Sequence, residues 1–423
     1  MTPKRVPRVP KLFQSDGTIV LRNPKAQRSG LAGSLGYDFV WTHGTLEFAG
    51  VTWTNVGCRY RGNGTFLHYL YGPKRPLKVE LDKFEKKQAL AGVRTLNLAN
   101  LTVDSSYLSD ALGYELFRAA GVPAPRTAYV WLTVTAAGQF ARQPFGLYLL
   151  IEDLDPAFAE DRFGSKRTAI FKPVTYDLFQ DLGRDWSAYE RIYDPKTKLS
   201  NDQKERVIAF AQLLTHANDS EFARQVGEFL DLDEFARFLA GLVLLSSYDG
   251  FLSNGQNFYM YLDPRSEKFG FIPWDLDHAW GAFPFVGLPE TREQASIWRP
   301  WSSRNRLLER VLAVGEFRRL YRDRLDDLLS HHFVPDQLNH RIDEIAQIIR
   351  APIAAENDYR FKRFEEATSM TWNQRSHGNE DGPTAPVHQI KRFIQNRALA
   401  VRDQLDGKAK GVEFAVRGPD ERR

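Results

Sequence analysis

Two aromatic runs constrain this chain more than any other feature. "SSYDGFLSNGQNFYMYL" occupies residues 246–262 and "FGFIPWDLDHAWG" residues 269–281. The intervening "DPRSEK" is turn chemistry, rich in residues that favour tight reversals. The pattern predicts two strands joined as a hairpin, which brings 249–257 beside 275. Helical periodicity over 231–247 precedes the first run and should end near Ser247, leaving Asp249 and Asn254 in a loop and Asn257 directly before the strand. At the end of the second strand, Asp275 and Asp277 are two apart and are expected to share one face. A carboxylate, an amide and a second carboxylate on neighbouring turns suit a hard divalent cation held over a phosphate. The competing explanation is conformational, because Asp, Asn and Gly also crowd into hairpin loops for the turns alone.

The rest of the chain sets the frame. At 423 residues it exceeds one small core, and roughly 150 residues per domain suggests two or three units or lobes. Residues 1–35 are rich in Pro, Arg and Gly and read as an extended arm. Short β-like runs with glycine punctuation follow from 37 to 82, including "RPLKVELDKF" with Leu77, Val79 and Leu81 alternating. "DSSYLSDALGYELFRAAGV" (104–122) predicts a helix with Asp104 as N-cap, and "TAYVWLTV" and "FGLYLLIEDLD" predict two more strands. Helical periodicity dominates after residue 200, with a polar loop at 373–385. The expectation is an α+β fold in two lobes: 36–152 β-rich with one main helix, and 153–423 larger and mostly helical.

Composition removes several classes. A surplus of 57 basic over 53 acidic residues is too small at this length to argue attraction to nucleic acid. The aromatic block 171–194 carries acidic residues that oppose phosphate contact and reads as a packed insert. The single cysteine, Cys58, excludes an internal disulfide and a Cys-rich zinc site. No apolar window approaches the length of a membrane span. The N-terminus has basic residues without an apolar stretch, so the chain as written is expected in the cytoplasm, or exported if a leader was removed. His278 beside Asp277 suggests a metal ligand, but nine histidines without H-x-x-x-H or H-E-x-x-H spacing argue against a zinc site.

In the first lobe, "RGNGT" (61–65) has glycines that let backbone N–H groups approach an anion, with Arg61 adding charge and Asn63 at the turn. It is not a Walker sequence. Lys78 on the following strand is the candidate phosphate-contacting lysine. Glu115 falls at the centre of the helix stripe Leu108, Leu112 and Ala119, where an unpaired carboxylate is costly. It is therefore the expected partner of Lys78, with Asp110 in reserve. Glu152 in "YLLIED" and Lys172 in "AIFKPV" are candidates for the expected cleft, with surface roles the stronger expectation for both.

These residues carry a resemblance. "DGFLSNGQNFYMYLDPRSEKFGFIPWDLDHAWG" resembles the signature of the CotH family, the atypical protein kinases first associated with spore coats. "VGCRYRGNGTF" resembles the family's Arg-Gly-Asn loop, "LKVELDKF" its next strand, and "IKRFIQNRALAVRDQL" its closing helix. The resemblance covers roughly residues 45–405. It implies an atypical protein-kinase-like fold binding ATP with Mg²⁺ or Mn²⁺ between the lobes. Asp249 would be the catalytic aspartate and Asp275 a metal ligand. The asparagine before the aromatic strand corresponds to Asn257, whereas Asn254 has the conventional kinase spacing; both stay as metal candidates with Asp277, and Asn257 is the favoured asparagine. Transfer of the γ-phosphate to Ser/Thr of a protein is the implied activity, by a monomer that neither binds nucleic acid nor spans a membrane. Nucleotidyl transfer, a small-molecule kinase, or a non-catalytic binding module on the same scaffold are the alternatives.

Overall fold

The computed structural model describes Phe39 and residues 41–62, 64–68, 73–370 and 386–415. The expected arm at 1–35, Asn63 and the polar loop at 373–385 lie outside the described residues.

Six strands build the first lobe: β1 (Thr42–Phe48), β2 (Val51–Tyr60), β3 (Leu77–Glu80), β4 (Thr95–Ala99), β5 (Thr127–Ala136) and β6 (Phe140–Ile151). They form one antiparallel sheet in the order β1-β2-β3-β4-β6-β5. Alternation along β3 follows strand periodicity: Leu77 and Val79 are buried, Lys78 and Glu80 half-buried. Register puts Leu77 opposite Leu98 and Val79 opposite Leu96, and these four join Val56, Phe145 and Tyr148 in a small apolar core. The same register sets Lys78 opposite Asn97, and Asn97 opposite Ile151 on the other side. The opposite face of the sheet therefore carries a polar row leading off the end of β6.

A short helix, α1 (Gly64–His68), joins β2 to β3, and the main helix of the lobe, α2 (Ser109–Ala119), joins β4 to β5. Asp104 does serve the start of α2, from five residues away rather than as the expected N-cap. Its carboxylate accepts from the N–H groups of Ser106 and Ser109, both at 2.8 Å. Nearly every residue of α2 from Ser109 to Phe117 is buried, with Glu115 the exception. A helix covered on all sides sits between two packed bodies, and here these are the sheet and the second lobe.

The second lobe comprises α3 (Pro156–Phe163), β7 (Ala169–Phe171), α4 (Ser187–Tyr193), α5 (Asn201–His216), α6 (Asp219–Phe229) and α7 (Leu232–Leu244). The hairpin β8 (Phe258–Leu262) and β9 (Phe269–Pro273) follows. Then come α8 (Pro289–Glu293), α9 (Arg306–Ala313), α10 (Gly315–His331), α11 (Pro335–Glu356), α12 (Asp358–Thr368) and α13 (Ile390–Leu405). Caps mark the helix starts: Ser200 and Gln203 form a reciprocal box before α5, and Asp231 accepts from Glu234 N at 3.1 Å before α7.

The expected hairpin is present and gains a third strand that periodicity did not reveal, β7, giving the order β7-β8-β9. Every residue of β8 and β9 is buried. Phe271 packs against Phe235 and Phe238 of α7 with ring centroids 5.0 and 5.2 Å apart, and Phe251 against Phe258 at 5.0 Å. On α13, Arg397 is buried and donates to the carbonyls of Val243 and Ala295 at 2.8 and 2.6 Å, tying the closing helix to the end of α7. The architecture is α+β in two lobes, with the aromatic hairpin held rigidly behind the loop that carries Asp249. Among the described residues no helix is long and apolar enough to cross a membrane.

Candidate active site

The loop after α7 is built to hold Asp249 still. Ser246, at φ 43°, turns the chain out of the helix, and its hydroxyl donates to Arg292 O at 2.8 Å. The Asn254 amide donates to the Asp249 carboxylate, and Gln256 Nε2 reaches the same oxygen at 3.5 Å. Asn257 has φ 57°, a left-handed conformation that asparagine tolerates. Its Nδ2 donates to Asp249 O at 2.7 Å, which closes the loop before β8 begins. Gly255 is required where it stands: φ is 65°, and a Cβ would lie 2.1 Å from Thr175 O. That approach docks the 171–176 segment on the loop, through Thr175 N–H to Gly255 O at 2.8 Å.

The turn after β9 is gripped by α2. The backbone N–H of Asp275 donates to Tyr114 Oη at 2.9 Å, that of Leu276 to Asp110 Oδ1 at 2.8 Å, and Trp280 Nε1 to Ser109 O at 3.0 Å. Asp275 takes φ 57°, which ends the strand's alternation. The expectation that Asp275 and Asp277 share a face is thereby corrected: Asp275 is exposed, Asp277 half-buried. One ligand atom each from Asp249, Asp277 and His278 lie within 4.8 Å of one another, and Asp275 stays outside that group. His278, set aside on spacing, is thus brought to the centre by a fold contact between two separate loops.

Electrostatics follow the geometry. Burial pushes the Asp249 carboxyl up, and Asp275 adds to this against the opposing pull of His278 and the Asn254 amide. Asp277 is held well above the usual carboxylate range by burial, then by Asp275, Asp110 and Asp249. Asp110 is pushed up to about 7 by burial and by Asp275. Among the described residues no side chain donates a hydrogen bond to Asp277, and Asn254 Oδ1 is buried without a partner. Crowded carboxylates with an unpartnered carbonyl are what a divalent cation would stabilise. The residues present therefore fit one.

A cationic side faces this acidic one. Trp274 lies between Arg61 and Lys172, with the guanidinium carbon and the ammonium each 5.7 Å from its ring. Lys172 is also 5.2 Å from the Tyr259 ring. Burial lowers the Lys172 ammonium to about 8, opposed by Asp275. Lys172 is half-buried, with its ammonium against the rings of Tyr259 and Trp274. In the first lobe, Lys78 Nζ lies 3.2 Å from Asp153 Oδ1, which also accepts from Asn97 Nδ2 at 2.7 Å.

One expected partnership and one expected placement fail. Glu115 pairs with Arg341 of α11 at 2.8 Å, on the half-exposed side of α2 and away from Lys78. The apolar stripe was misjudged because α2 is buried almost all round, so Glu115 marks its one open edge. The reserve residue, Asp110, is the carboxylate on the site-facing side. Glu152 does not face the cleft: it takes Arg126 and Arg162, with Arg126 N–H at 2.9 Å. Its neighbour Asp153 is the acid that takes Lys78, and the two-residue alternation after Ile151 is the signal that could have found it. The 61–65 loop is partly helical, since α1 begins at Gly64, and Arg61 turns toward Trp274.

Asp249 and Asp277 thus meet beside His278, Asp275 is near enough to raise both carboxyls, and Arg61 and Lys172 reach Trp274 next to it. Such a site can hold a divalent cation and a polyanion together. A family model described as CotH kinase protein matches residues 58–401. Inner spore coat protein H of Bacillus subtilis (strain 168) is 25% identical over 329 residues, 76% of this chain and 81% of that protein. An inner spore coat protein H-like protein of the same organism is 26% identical over 268 residues, 61% of this chain and 69% of its own length. A match that runs from β2 to α13, across both lobes and the whole site between them, makes this chain a member of the CotH family.

Proposed function

We propose that the protein is an ATP-dependent kinase that transfers the γ-phosphate to a Ser or Thr hydroxyl of a protein. The observation that carries this is the meeting of Asp249 and Asp277, with Asp275 acting on both, beside Trp274 and its two cations Arg61 and Lys172. Lys78, ordered by Asp153 and Asn97, and Arg61 bind and orient the phosphates from the first lobe. Asp275 and Asp277, with the amide oxygen of Asn254, are the residues that would hold Mg²⁺ or Mn²⁺. When bound, the ion neutralises charge on the transferring phosphoryl group. The Asn257 amide serves the loop instead, through its bond to Asp249 O.

Asp249 orients the acceptor hydroxyl. As its oxygen bonds to the γ-phosphorus, the bond from that phosphorus to the β-phosphate oxygen breaks, ADP leaves, and the hydroxyl proton passes to the Asp249 carboxylate. Burial of Asp249 raises its affinity for that proton. The rigid backing of β8 and β9 fixes the base relative to the turn at 275–278, and such positioning supplies much of the barrier reduction in phosphoryl transfer.

The test is incubation with γ-labelled ATP, Mg²⁺ or Mn²⁺, and casein or myelin basic protein. Label on protein that falls by about 10²–10⁴ in Asp249→Ala, and disappears in Asp275→Ala, is expected. Label transferred from α-labelled ATP instead would replace this reading with nucleotidyl transfer. No transfer and no ATP binding would replace it with a binding module.

A further inference from the structure

We propose that the loop at 282–289 docks the acceptor, and that the acceptor is a polypeptide with a large apolar side chain close in sequence to its reacting Ser or Thr. The proposal rests on the phosphotransfer reading above and names the substrate class for it. The loop reads "AFPFVGLP", with no ionisable or hydrogen-bonding side chain. Phe283 and Val286 turn inward and are buried, whereas Phe285 and Leu288 are 59% and 51% exposed. A lone exposed apolar side chain is ordinary, but two large ones on one loop beside a site form a patch. The Phe285 ring lies 5.3 Å from that of Phe283, which lies 5.8 Å from the ring of His278. His278 in turn neighbours Asp249. A path of rings therefore leads from the proposed base out to solvent.

One buried residue fixes this loop relative to Asp249. The Arg292 guanidinium donates to the carbonyls of Gly281, Val286 and Gly287 at 2.7, 3.0 and 2.8 Å. Its own carbonyl accepts from Ser246 Oγ at 2.8 Å, just ahead of Asp249. Gly281 N–H adds a bond to Leu245 O at 2.9 Å. Phe285 is thus an exposed aromatic ring on a pinned backbone, and a pre-organised anchor loses little freedom on binding. An extended chain advances about 3.3 Å per residue, so from Asp249 it reaches Phe285 within about five residues. A charged side chain arriving there would lose water and gain no partner, which selects an apolar one. Two exposed side chains fall far short of the roughly 800 Å² that each partner of a stable dimer buries. An extended acceptor segment fits the patch better than a second copy does.

The experiment is phosphorylation of a peptide set by the full chain with γ-labelled ATP and Mg²⁺ or Mn²⁺. Each peptide carries one Ser in a Gly-Ala-Lys background, with Phe, Leu, Lys or Asp placed at successive positions up to about five residues either side. Phe or Leu at one of these positions is expected to lower the peptide KM at least about tenfold relative to Lys or Asp. Phe285→Ser should remove that preference by raising KM for the favoured peptide, with kcat and the KM for ATP held within about twofold. Leu288→Ser should do the same to a smaller extent, and both exposed positions should leave the melting temperature unmoved. Label without an apolar preference, or a preference that survives both variants, overturns the docking proposal and leaves the kinase reading standing. Self-association of the chain that Phe285→Ser abolishes would give the patch to a second copy instead. Absence of label from every peptide and from casein retires the kinase reading, and the acceptor assignment with it.

Discussion

The ammonium of Lys74 lies 2.5 Å from a carboxylate oxygen of Glu356, with only 6% and 5% of the two side chains exposed. The same oxygen accepts from Leu147 N at 2.7 Å, and Tyr107 Oη reaches the other at 3.3 Å. The end of α11 is thus bonded to the loop before β3 and to β6, a clasp between segments far apart in sequence. Removing one partner of a buried ion pair strands the other. Glu356→Ala is therefore expected to cost about 3–5 kcal/mol in urea denaturation. A loss below about 1 kcal/mol, the range of a surface pair, would show the clasp to be energetically idle.

Gly146 lies beneath this clasp. Its φ is 96°, and an added Cβ would sit 2.5 Å from Glu356 Oε1. Gly146→Ala should destabilise by about 1–3 kcal/mol from backbone strain, plus the displacement of Glu356. In a double-mutant cycle the substitution should cost less on the Glu356→Ala background, because the clash is gone and only the strain remains. Strict additivity would contradict this geometry.

Glu234 gives a pH test away from the candidate site. It is buried, its carboxylate accepts from Phe271 N at 3.2 Å, and it forms no ion pair among the described residues. Burial holds its carboxyl well above the ordinary 4.5. Above 4.5 the unfolded chain releases a proton that the native state retains, so native stability falls as pH rises from there. Glu234→Gln keeps the acceptor and removes the titration. Melting temperatures of the two proteins should coincide near pH 4 and diverge toward pH 7, with the variant higher; parallel curves would refute the assignment.

Asp153 and Glu115, the observed and the expected partner of Lys78, should separate cleanly. Asp153→Asn frees Lys78 from its partner, and ATP affinity should change several-fold if Lys78 holds phosphate. Glu115→Gln breaks only the half-exposed pair with Arg341 and should cost no more than about 1 kcal/mol of stability, with ATP affinity unaltered. Nucleotide titration of both variants distinguishes the observed Lys78–Asp153 pairing from the one expected with Glu115.

Much of the frame was legible before any coordinates. Hydrophobic period and turn chemistry located the hairpin, α5, α7 and the strands of the first lobe except β4 (Thr95–Ala99), because local sterics and one-sided burial write themselves into spacing. The main helix was found but its faces were assigned wrongly. Periodicity reports one apolar stripe, whereas α2 is enclosed by the sheet and the second lobe together. β7 was missed because three residues carry too little pattern to register as a strand.

The sequence by itself determined the class of this fold, the hairpin that backs Asp249, and the presence of Asp, Asn and Lys side chains able to handle a metal and phosphates. It also carried the family resemblance. Partners were decided only in three dimensions. Asp153 rather than Glu115 faces Lys78 because strand register, not helix spacing, sets that neighbour. His278 joins Asp249 and Asp277 because a left-handed residue at Asp275 turns the chain after β9 while α2 grips the turn from behind. Such contacts join residues by packing between elements, and one-dimensional spacing holds no record of which elements will meet.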